Sequence, residues 1–110
     1  MDSDKLEALA RIFFEEVIKT LKERHQGRGD TFLELDLDDF GTFFKTKGGR
    51  IKALSEKISQ TALELLDEIV DEAGYAALAC IKLASLMEGS LEDSVKTLCS
   101  ARRGEKDASS

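Results

Sequence analysis

Few side chains in this sequence offer reactive chemistry, and they are scattered. His25 is the one histidine, so a Ser–His or Cys–His nucleophile system would have it alone as base. It falls in the last turn of a helical pattern, where positive charge is favoured, and reads as a capping or surface residue. No serine stands in a G-x-S-x-G elbow. Cys80 lies in an all-apolar stretch and reads as a small core hydrophobe, and Cys99 reads as a core contact rather than a reactive thiol. Two Cys and one His fall short of the roughly four N/S ligands of a zinc site. The expectation is therefore no enzyme, no metal centre and no cofactor.

Charged residues form three constellations. Asp30, Glu34, Asp36, Asp38 and Asp39 are dense enough for a hard-cation site. Lys45, Lys47, Arg50 and Lys52 surround Gly48-Gly49 ahead of a helical pattern, where glycines, cations and free helix N–H groups can cradle an anion. The Walker spacing is absent. Glu64, Asp67, Glu68, Asp71 and Glu72 form an acidic block opposite an apolar helical stripe. These acids crowd a helix C-terminus, which disfavours anions, and a basic stripe on another chain would compensate them.

Two resemblances touch these segments. The run Leu6 to Phe44 resembles the helix–loop–helix of EF-hand proteins, with Leu35-Asp36 and Asp39-Phe40 at the apolar anchor and the loop-closing acid. That resemblance implies a divalent-cation-responsive element at 30–39. It departs from the pattern at Leu33, where the motif has Gly, at Arg28, where it has its first ligand, and in closing on Asp rather than Glu. Phe40-Gly41-Thr42-Phe43 is similar to the start of the β-hairpin in bacterial HU-type DNA-bending proteins. That implies a hairpin and DNA binding, whereas the chain has no Pro and a net charge of −6, the wrong sign for holding phosphates.

The elements that must position these residues are mainly helical. Leu6, Leu9, Ala10, Phe13, Phe14, Val17 and Leu21 recur at i, i+3, i+4 and i+7, a stripe wide enough for two partners. Ser3 is the expected N-cap and Gly27 the stop. Leu33, Leu35 and Leu37 alternate with acids, which is strand periodicity, and Phe40, Phe43 and Phe44 then return to helical spacing, with Asp36 and Asp39 as a capping pair. A helix is expected from Arg50 to Ala73, a break or kink at Gly74, a central apolar helix from Tyr75 to Glu88, and a last helix capped by Ser90 with Leu91, Val95, Leu98 and Cys99 on its apolar face.

The expected fold is a mainly α, four- to five-helix bundle with a short extended or hairpin segment near 30–48; an α+β domain is the runner-up. Residues 1–103 form one domain, and 104–110 a disordered tail. The longest apolar stretch is too short to cross a bilayer, and the acidic start Met1-Asp2-Ser3-Asp4 is unlike a leader, so the expected location is cytoplasmic, away from membranes. The expected function is a non-enzymatic protein–protein interaction module that self-associates, with Phe14, Phe32, Phe43, Phe44, Glu64, Asp67, Glu68 and Asp71 as interface residues. The alternatives are the anion or nucleic-acid site at Lys45, Lys47, Arg50 and Lys52, and the cation-responsive element at 30–39.

Overall fold

The computed structural model describes residues 1–104, and for 58–60 only the backbone. It holds four α-helices and one 3₁₀ turn: α1 (Ser3–Arg28), the turn Thr31–Glu34, α2 (Leu37–Ser55), α3 (Ile58–Ser85) and α4 (Leu91–Arg102). This is a helical bundle with no strand among the described residues. α3 is its hub, since α1, the 3₁₀ turn, α2 and α4 all pack on it. No helix is long and apolar enough to cross a membrane among the described residues. The expected tail lies outside them from residue 105 onward, and Gly104 closes a turn at φ 75°.

Local chemistry sets the helix ends. The N-cap of α1 is Asp2, one residue before the expected Ser3; its carboxylate accepts the Lys5 N–H at 2.8 Å. α1 runs through Gly27 and stops at Gly29, whose φ of 61° suits a residue without a Cβ and whose N–H donates to the His25 carbonyl. Ser90 caps α4 as expected, accepting the Asp93 N–H at 3.2 Å.

The expected extended or hairpin segment near 30–48 is absent. Leu33 and Leu35 are half-buried and Glu34 exposed because a tight turn carries them, and Lys82 Nζ fastens that turn to α3 by donating to the Leu33 carbonyl at 2.6 Å. Asp36 and Asp39 then form a full capping box, and from it α2 continues for 19 residues. Phe40, Phe43, Phe44, Lys47, Ile51 and Leu54 recur at helical spacing and all are buried or half-buried. That face outweighs the roughly 1 kcal/mol per glycine lost at Gly48 and Gly49, which lie on the solvent side.

The expected helix from 50 to 73 is instead divided near 55–57. Thr61 sits at φ −124°, ψ 16°, and its hydroxyl donates to the carbonyls of Leu54 and Lys57, both at 2.9 Å. Both carbonyls also accept backbone N–H groups, Leu54 from Lys57 and Lys57 from Thr61, so the hydroxyl adds a second bond at each and ties the two helix ends together. Conversely, Gly74 makes no break. It is buried inside α3 where α1 crosses, and a Cβ built there would lie 3.5 Å from Leu21 Cδ2, an ordinary contact. α4 is rotated from expectation: Ser94 is buried, Val95 and Leu98 are half-buried, and Cys99 is exposed.

The buried apolar core is small: Val17, Phe40, Leu65, Val70 and Ala84 among the described residues. Phe40, 1% exposed, is its one large, fully buried side chain. Replacing Gly74→Ala adds a methyl that the α1 crossing accommodates and removes a helix-interior glycine. Stability in urea should rise by about 1 kcal/mol; a loss would show that α1 sits closer to α3 than the structure has it.

Candidate interaction surfaces

The most constrained polar cluster joins α1, α2 and α3. Lys47 stands on the inward face of α2 with its side chain only 11% exposed. Its ammonium donates a 3.0 Å hydrogen bond to Asp71 and lies 2.7 Å from Glu68 Oε2, an ion pair outside directed hydrogen-bond alignment. Arg24 of α1 donates to the other Asp71 oxygen, and Arg50 lies 3.7 Å from Glu68. Two carboxylates one helical turn apart on α3 thus collect cations from both neighbouring helices.

The titration of this cluster follows from its geometry. The Glu68 carboxylate holds the Lys47 ammonium above its ordinary value of 10.5; burial opposes this, and the Asp71 bond adds to it. Burial would push the Asp71 carboxyl up, but bonds and charges from Lys47 and Arg24 together outweigh it and hold the group below 3.8.

This arrangement changes the standing of the charged site residues. Glu68 and Asp71 were expected on a face opposite the apolar stripe, yet they are half-buried and ion-paired within the chain. Glu64 and Asp67 remain exposed. The basic segment 45–52 is helix rather than a glycine loop, so it presents no free helix N–H groups. Lys45 and Lys52 face solvent, while Lys47 and Arg50 reach toward α3. The acids at 30–39 are dispersed: Asp30 lies 2.7 Å from His25 Nε2, and Asp36 and Asp39 serve the α2 cap. Among the described residues no three His, Cys, Asp or Glu side chains group as a metal site.

The phenylalanines divide. Phe43 packs its ring at 5.0 Å from Tyr75 and meets Phe40 edge-on at 6.0 Å, so it belongs to the α2–α3 packing. Phe32 is half-buried and lines a cavity of about 390 Å³ with Leu21, Phe40, Phe43, Tyr75 and Leu78, rimmed by Arg24, His25, Arg28 and Glu34. Phe44 is half-buried on α2. Phe14 alone of the four stays exposed, at 55%, edge-on to Phe13.

The exposed apolar surface is larger than the wide α1 stripe alone implies, because α3 adds to it. On α1, Ile12, Phe14 and Ile18 flank a stripe of which α3 covers Val17 and Leu21. On α3, Leu63, Leu66, Ile69 and Leu83 are all exposed, as is Leu86 at its C-cap. Neither a known protein family, nor a curated protein, nor a solved structure matches this chain.

Lys47→Met keeps the volume and removes the charge shared by Glu68 and Asp71. It should cost about 2 kcal/mol in chemical denaturation, less than a fully buried pair because Arg24 and Arg50 remain. Adding Glu68→Gln should recover part of that loss; a neutral Lys47→Met would show that the cluster carries no weight. The pH profile carries a sign. Asp71's contribution is present above 3.8 and fades as pH falls through its lower folded value. Lys47's is present below 10.5 and fades as pH rises through its higher folded value. Wild type and Lys47→Met should therefore differ by a constant amount from about pH 5 to 9 and converge at both extremes, as measured by urea midpoints.

Proposed function

We propose that this chain is a non-enzymatic interaction module whose first partner is a second copy of itself. The observation that carries this reading is area. A compact monomer of 12.1 kDa exposes about 6,000 Å². This chain exposes 8543 Å². Granting the six residues after Gly104 the full exposure of an unfolded chain, about 160 Å² each, still leaves an excess near 1,500 Å². A standard complex buries about 800 Å² per partner, and obligate dimers more. The excess is of the size that a stable dimer removes.

The kind of surface agrees with the amount. Large apolar side chains stand exposed on α1 and α3, and contiguous patches of this kind favour association. The charge pattern argues in the same direction. Glu68 and Asp71 already hold Lys47 and Arg24 within the chain, so charge pairing between copies loses its best acids and apolar burial is left as the driving force. The basic segment 45–52 offers no comparable support for an anion site, since two of its four cations are engaged on α3.

Light scattering at low and at ~0.5 M salt, where surface charge pairs are largely screened, tests the reading. The expected mass is a multiple of 12.1 kDa that is unchanged by salt. A monomer at both salts would overturn self-association, and an oligomer that falls apart in salt would overturn its apolar basis.

A further inference from the structure

Four exposed apolar residues of α3, Leu66, Ile69, Ala76 and Leu83, share one line with the half-buried Ala73 and Cys80. Leu66, Ile69, Ala73, Ala76, Cys80 and Leu83 alternate by three and four residues, which is the spacing of a coiled-coil seam. The seam is about 26 Å long at 1.5 Å per residue and contains no charged or polar side chain. None of the six is buried; Leu66 is 45% and Leu83 42% exposed. Its flanks are already taken: Leu65 on one side, and Val70 and Ala84 on the other, are buried within the chain. The α1 surface is less suited, because Arg11 and Glu15 interleave with Ile12, Phe14 and Ile18, and all five side chains are exposed.

Resting on the self-association proposed above, we infer that this seam is the dimer interface and that two copies pair their α3 helices antiparallel. The seam is self-complementary in that sense. Centred between Ala73 and Ala76, antiparallel pairing sets Ala73 against Ala76, Ile69 against Cys80 and Leu66 against Leu83 of the second copy. Every layer joins a residue to one at the mirrored position, as a two-fold interface requires. The small pair at the centre lets the helices approach closely, and Ile69 against Cys80 balances a large residue with a small one. Parallel pairing would put Ile69 on Ile69 and Cys80 on Cys80, wide and narrow layers by turns, and would align the helix dipoles unfavourably. The 3.5-residue period over a straight helix drifts by about 20° per heptad, so the pair should wrap in a gentle left-handed supercoil.

Leu66→Lys and, separately, Leu83→Lys change side chains that the chain itself leaves exposed, so both variants should keep wild-type helical circular dichroism. The expected scattering mass of each is half that of wild type, while Phe14→Lys on α1 leaves the dimer intact. Orientation is read by cross-linking in a Cys99→Ser background, which removes the exposed thiol. There, Ile69→Cys should form a covalent dimer through Cys80 on mild oxidation, and Cys99→Ser alone should not. Residues 69 and 80 of one helix are about 16 Å apart, too far to join within a chain. A wild-type monomer would overturn self-association and this interface together. A wild-type dimer that survives Leu66→Lys and Leu83→Lys would overturn only the interface, and covalent dimers from Cys99→Ser alone would overturn its antiparallel sense.

Discussion

The ammonium of Lys47 lies between the carboxylates of Glu68 and Asp71, and the relative placement of three helices follows from it. Lys47 occupies an inward position of α2, in the run Phe43, Phe44, Lys47, Ile51. A charge there must find a counter-charge or forfeit its hydration. α3 supplies two, and Asp71 is shared with Arg24, which sets the height of α1 along α3. Contacts of this kind contribute more to register than to net stability, because desolvation consumes much of the Coulomb gain. In a bundle with only five buried apolar residues among those described, register is what the apolar core alone specifies least.

Once the cluster is in place, the remaining surface of α3 is determined. One side carries Glu68, Asp71 and Tyr75 toward α1 and α2. Gly74 admits Leu21 of α1. Ala84 and Val70 are buried on another side. What is left is a strip with neither charge nor cover. This 28-residue helix is packed by every other element and is still apolar on its free side. Internal neutralisation of the charges and outward exposure of the apolar strip are thus two consequences of one arrangement.

Much of the helical frame was legible in the residues. The Asp36–Asp39 box and the Ser90 cap act locally, within one turn, and the structure keeps them; of the α1 stripe it buries Val17 and leaves Leu6, Leu9 and Phe14 exposed. Local patterns mislead where they compete with tertiary ones. The alternation at Leu33, Leu35 and Leu37 mimics a strand, but a 3₁₀ turn followed by a capped helix also alternates exposure over so short a run. Gly48-Gly49 and Gly74 read as punctuation because glycine in a helix is costly in isolation; packing of the opposite face of α2, and the packing of α1 on α3, override that cost. The break at 55–57 has neither Gly nor Pro to announce it. The Lys47 cluster was hidden because Lys47 and its two carboxylates lie 21 and 24 positions apart and meet only in the folded chain. The seam was present in the spacing from Leu66 to Leu83, and was obscured by dividing the segment at Gly74.

Pairing along α3 makes the stability of this fold depend on chain concentration. Thermal unfolding followed by circular dichroism across protein concentrations from about 1 to 100 µM tests that dependence most directly, because mass action makes the midpoint of a coupled dimer rise with concentration. The expected result is a steady rise in Tm over that range, of equal size at low and high salt. A Tm that does not move with concentration, in a single cooperative transition, would mean that the lone chain is the folding unit and that its exposed apolar strip has no self-partner.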